Sequence, residues 1–127
     1  MSKKSILTAE ELLPLIIRGA KEKKAADICI LDMRGVSTVA DYFFICSAAN
    51  PRQVKAVSEQ IRKTLEENGC RPIREEGLSE SRWAVLDYLV ILVHVFLEEV
   101  RDYYALGSLW GDARRVSPEE LRDDNGD

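Results

Sequence analysis

Between Ser81 and Leu97 the chain reads SRWAVLDYLVILVHVFL, and no other stretch gathers so much apolar mass. Within it lie one of the two tryptophans, the only histidine (His94), and the carboxylate of Asp87. Burying an imidazole or a carboxylate is costly unless each finds a partner. This stretch must therefore form the middle of the fold, and each polar group it keeps needs a reason. Its length allows one helix or two strands, because apolar runs are ambiguous by period alone. Val85, Tyr88, Val90, Ile91, Val93, Val95 and Phe96 are β-branched or aromatic, and such residues favour strands. A break near Asp87 and Tyr88 predicts a hairpin, Arg82–Asp87 against Leu89–Leu97. Its turn is chemically odd, since no Gly or Asn is present to take a positive φ.

The flanking segments give clearer signals. Thr8 and Glu11 read as a capping box for a helix to about Lys23, with Leu12, Leu13, Ile16, Ile17 and Ala20 at helical spacing. Pro14 predicts a kink or a delayed start. Lys21, Lys23 and Lys24 suit the negative end of that helix. Asp27–Met33 and Asp41–Ser47 are short runs apolar on both faces, as in central strands. Asn50, Pro51 and Gln53 open a second helix, Val54, Val57, Ile61 and Leu65 stripe it, and Asn68-Gly69 closes it. Cys70–Glu75 is a weak strand, too polar to be central. Glu98–Leu106 reads as a last helix with acids at its start. The order is α-β-β-α-β-β-β-α, an α/β domain with a mixed, mostly five-stranded sheet and helices packed on it. Residues 1–115 form the single domain. Residues 116–127 form a polar tail expected to be disordered.

Composition narrows the function. The net charge of −4 gives no global nucleic-acid footprint, although residues 1–26 carry six basic side chains against three acidic. Asp87, His94 and Glu98 interrupt the best candidate for a membrane span. The N-terminus lacks a secretory signal, so a cytoplasmic location is expected. Three cysteines without a CxxC pair read as reduced core thiols. No phosphate-binding glycine motif occurs, and one histidine without cysteine pairs makes a metal site improbable. Asp27, Asp32 and Asp41 could serve a minimal Mg-dependent nucleotidyltransferase, but strand-end acids are the commoner reading. His94 beside a nucleophile is conceivable, whereas a histidine hydrogen-bonded to an acid such as Asp87 is commoner. The aromatics of the last third, Trp83, Tyr88, Tyr103, Tyr104 and Trp110, with Arg82 and Arg101 among them, favour a protein-binding surface. A homodimeric adaptor is compatible with the same features.

Three segments, DICILDMRGVSTVADYFFICSAANPRQVKA, WAVLDYLVILVHVF and RDYYALGSLWGDA, together closely resemble the ribosomal silencing factor (Iojap) family. The resemblance implies a nucleotidyltransferase-like α/β fold without the catalytic carboxylates, and no enzyme activity or cofactor. It implies binding to the large ribosomal subunit, chiefly through its protein fourteen, with rRNA contact incidental. Docking there would sterically block the small subunit and repress translation under starvation or in stationary phase. The motif residues carried over by position are Trp83, Asp87, Tyr88, His94, Arg101, Tyr104, Leu109 and Trp110 as partner-binding candidates. Trp83, Tyr88 and Arg101 are the expected contacts, with Trp83, Asp87 and Tyr88 placed near the hairpin turn. Phe96 and Tyr42 are expected in the core, and Asp41, Arg52 and Gln53 match as well. The chain departs from the family at the hairpin, with Leu89-Val90 in place of the usual Gly-Asp.

Overall fold

A computed structural model describes residues 8–104 and 114–117. Helix α1 spans Ala9–Glu22, β1 Ala26–Asp32, β2 Tyr42–Ala48 and α2 Pro51–Glu66. Strand β3 spans Arg74–Glu76, β4 Trp83–Asp87, β5 Ile91–Leu97, α3 Glu98–Tyr104 and β6 Arg114–Val116. The sheet order is β3-β4-β5-β2-β1-β6. β2 and β5 run parallel, and the other four pairs are antiparallel.

The expected mixed sheet is present, but it has six strands rather than five. The extra strand is β6, which holds two exposed arginines and a single buried residue, Val116. Three residues with one inward side chain show no alternation to read. What defines β6 is the open edge of β1, where Ile30 pairs with Val116 and Asp32 with Arg114. Residues 118–127 of the expected tail lie outside the described residues, as do Leu109 and Trp110.

Local chemistry explains the helices. Thr8 Oγ1 accepts from Glu11 N–H at 3.2 Å, and the Glu11 carboxylate accepts from Thr8 N–H at 2.8 Å, completing the capping box. Pro14 lies inside α1 and does not delay its start. The far end closes with Lys24 at φ 64, where Ala25 N–H reaches Ala20 O and Lys24 N–H reaches Lys21 O. In α2, Asn50 caps Gln53 N–H at 2.9 Å, and the Gln53 amide donates to Lys23 O and Lys24 O at 3.0 and 3.1 Å. That one side chain locks the start of α2 to the end of α1.

The register assigns two faces to the sheet. Ile30, Phe44, Val93, Val95, Ala84 and Leu86 point toward α1 and α2, and all six are buried. The opposite face carries Phe43, Ile45, Ser47, Leu92, His94, Phe96, Trp83, Val85 and Asp87. α3 packs on this second face, where the Arg101 guanidinium donates to Ser47 Oγ at 2.7 Å and to Asp27 O at 2.5 Å. The apolar helix-covered face is ordinary core. Asp87 and His94, the polar groups inside the central run's two strands, both fall on the other one.

Candidate functional site

The hairpin forms as expected, from β4 and β5. Trp83 pairs across from Phe96, Val85 from His94, and Asp87 from Leu92. Trp83 therefore stands at the end of β4 far from the turn, not beside it. Four steps of strand separate Trp83 from Asp87, roughly 13 Å. Trp83 and Tyr88 consequently belong to two different regions of the molecule.

The first region is an aromatic cluster. The half-buried Trp83 stacks on Phe96 with centroids 4.8 Å apart, and its indole N–H donates to His94 Nδ1 at 3.1 Å. Phe43 meets the imidazole from β2 at 4.9 Å. His94 is 4 % exposed, and burial pulls its pKa down to about 4. It is therefore neutral at physiological pH, and because Nδ1 accepts from the indole, the proton resides on Nε2. Nε2 is buried without a hydrogen-bond partner among the described residues. The expected His94–Asp87 hydrogen bond is not formed. The two share a face, but Asp87 sits by the turn and His94 two pairs further along, facing Val85.

The second region is the turn. Asp87 is 8 % exposed, and its carboxylate accepts from Leu89 N–H at 2.9 Å while facing Arg74 at 3.3 Å. Tyr88 turns inward, 5 % exposed, and burial raises its pKa. Its hydroxyl has no hydrogen-bond partner among the described residues. Leu89 occupies the apex at φ 74. Arg101 is half-buried and committed to Ser47 and Asp27, while the side chain of Tyr104 lies outside the described residues. Phe96 and Tyr42 are core residues, 0 % and 7 % exposed.

Two further places bring charged side chains together. Outside the ends of the parallel strands β2 and β5, with α2 and α3 leaving to opposite faces, a crevice of about 730 Å³ is lined by Asn50, Pro51, Glu80, Arg82, Glu98 and Glu99. Open α/β sheets bind ligands at such points, but the charged side chains here are three acids against one arginine, and no phosphate-binding glycine motif adjoins them. Asp32 at the end of β1 is gripped by Arg34 through two bonds of 2.9 and 2.7 Å, which hold its carboxyl below the usual carboxylate range. Asp27 lies at the other end of that strand, and no group of three or more metal-binding side chains occurs among the described residues. Cys46 is buried with its pKa pushed up to about 12, whereas Cys29 and Cys70 are half-buried. No described helix is long and apolar enough to cross a membrane.

Comparison with known proteins decides the lineage. A sequence model described as "Ribosomal silencing factor during starvation" matches residues 6–127. The chain belongs to the ribosomal silencing factor family. The family's protein from Bacillus subtilis is 40% identical over 107 residues, covering 84% of this chain and 91% of that one. A crystal structure of protein CV0518 from Chromobacterium violaceum superposes with a TM-score of 0.80 at 30% identity, covering 87% of this chain and 92% of that one. A mouse relative named "Mitochondrial assembly of ribosomal large subunit protein 1" is 26% identical over 101 residues, 77% of this chain and 44% of its own length. The family is named for silencing, not for a catalysed reaction.

Proposed function

We propose that this protein binds the large ribosomal subunit through its protein fourteen and blocks joining of the small subunit by occupying the space between them. In this reading it represses translation under starvation or in stationary phase, works in the cytoplasm, and touches rRNA only incidentally. The observation that carries the reading is the family match across residues 6–127, together with a relative named for large-subunit assembly. The family resemblance implies a nucleotidyltransferase-like fold without the catalytic carboxylates; in this chain Asp32 is already held by Arg34. A binding protein of this kind acts by shape, with a few aromatic or apolar anchors and no cofactor.

The proposed contact set starts from Trp83, Asp87, Tyr88, His94, Arg101, Tyr104, Leu109 and Trp110, with the work divided. Trp83, only half-buried, meets the partner. His94 and Phe96 hold its indole in place, Asp87 and Tyr88 shape the hairpin turn, and Arg101 ties α3 to the sheet. Tyr104, Leu109 and Trp110 stay in the proposed set on the family motif alone.

Co-sedimentation with isolated large subunits, and a subunit-mixing assay read by the yield of joined ribosomes, test this. Binding at low-micromolar concentration and a lowered yield are expected; no binding at that concentration ends the reading. Trp83→Ala should weaken binding by about 2 kcal/mol if the indole is an anchor. Trp83→Phe, which keeps the stack on Phe96, separates lost contact from lost fold, with far-UV circular dichroism as the check.

A further inference from the structure

Among the described residues, four large apolar side chains stand well out of the fold: Val36 at 40%, Val39 at 62%, Ile73 at 65% and Leu89 at 65% exposure. All four fall at one end of the sheet. Val36 and Val39 lie in the loop joining the end of β1 to the start of β2. Ile73 immediately precedes β3, and its N–H donates to Asp87 O at 2.7 Å. Leu89 is the hairpin apex, and the adjoining Val90 carbonyl accepts from both Asp41 and Tyr42 N–H at 2.9 and 3.1 Å. Backbone bonds thus tie the three segments into one rigid rim.

Leu89 is the unusual member. Val90 N–H donates to Tyr88 O at 2.8 Å across it, and its own φ is 74, the strained form of a three-residue turn. Glycine would sit there without penalty, and a leucine does not. At 65% exposure its side chain gains little from packing within its own chain. A strained backbone carrying an exposed apolar group is a cost that binding can offset.

We infer that Leu89 is an apolar anchor inserted into the large-subunit ribosomal protein, with Val39 and Ile73 flanking it. This rests on the ribosome-binding reading above and adds a contact to it. The chemistry favours protein over RNA. Arg34 and Arg114 face Asp32 at 2.7 and 3.9 Å, and Arg74 faces Asp87 at 3.3 Å, so these cations are already opposed by carboxylates. A second copy of this chain fits less well. Four side chains offer at most a few hundred Å² of apolar surface, while a stable interface needs around 800 Å² from each partner. The rim is one anchor point within a larger contact on a large partner.

Co-sedimentation of the full-length chain with purified large subunits, comparing the parent with Leu89→Gly, tests the anchor. Affinity should fall about tenfold or more while the melting temperature holds or rises. Val39→Ser should cost affinity by a smaller factor. If the parent binds and Leu89→Gly binds equally well, the anchor is refuted and the ribosome reading stands. If the parent itself does not bind, the ribosome reading falls and the anchor with it. A lower melting temperature in Leu89→Gly would make Leu89 a folding residue and overturn the inference. So would a self-associated state in sedimentation that this substitution abolishes, or an equal loss of binding to protein-free ribosomal RNA.

Discussion

The two ends of the β4–β5 hairpin solve opposite problems. At the Trp83 end an imidazole has been taken out of water, and the surroundings answer it with an indole N–H, a stacked Phe96 and a tilted Phe43. At the Asp87 end the backbone itself is strained, and a carboxylate holds it by accepting from Leu89 N–H. One end contributes packing to stability. The other draws on stability to hold an exposed leucine in a fixed place. Strain concentrated where the apolar surface is most exposed is what a docking point requires, and low strain with dense stacking is what a scaffold requires.

The most damaging change to the scaffold end should be Gly77→Ala. Gly77 has φ 82, and a Cβ built on it would lie 2.0 Å from the Trp83 carbonyl oxygen, backbone that cannot swing aside. A loss of more than about 3 kcal/mol, or failure to fold, is expected in urea titration. An alanine tolerated there would mean that the Trp83 end is looser than its stacking implies.

Acidification should probe the same end next. The folded His94 pKa is depressed to about 4, so the unfolded chain binds a proton that the folded chain refuses. Stability from this group is fully present above the unfolded value near 6.5, and is lost as pH falls from there toward 4. The loss is on the order of 2–3 kcal/mol. Chemical denaturation at pH 7 and pH 4.5 measures it, and His94→Phe should flatten the difference. An equal pH dependence in that variant would place the cause elsewhere.

Much of this was legible beforehand and some was not. Both helix caps, the central strands and the hairpin follow from short-range rules, because caps and alternation act within a few residues. The pairing partners of Asp87 and His94 do not follow, since only the register decides that Val85 faces His94 and that the indole of Trp83 reaches it. β6 is not legible in the sequence because its pairing is decided by a β1 edge some eighty residues earlier in the chain. Arg101 reads as an exposed aromatic-flanking cation, yet it donates to the carbonyl of Asp27, a residue far away in sequence. The hairpin turn lacks the glycine that a positive φ favours. That oddity is the sequence signal for Leu89, and it points to the strain without showing how exposed the side chain is.

The smallest effect separates the two duties of Asp87. Its carboxylate both accepts from Leu89 N–H at 2.9 Å and faces the exposed Arg74 at 3.3 Å. An ion pair with a partner that open to solvent contributes little, about 0–1 kcal/mol. The hydrogen bond at the apex fixes a backbone that would otherwise relax, and losing it leaves a half-buried N–H unpaired, at about 1–2 kcal/mol. Asp87→Asn keeps an acceptor oxygen and removes the charge, so it should cost at most about half a kcal/mol. Asp87→Ala removes both and should cost about 1–2 kcal/mol. If Asn proves as costly as Ala in equilibrium unfolding, the charge pair holds the turn, and the strain at Leu89 is not what Asp87 is there to restrain. If the two differ as expected, and Leu89→Gly erases that difference, the carboxylate and the strained apex form one device, because a relaxed turn has no need of the restraint.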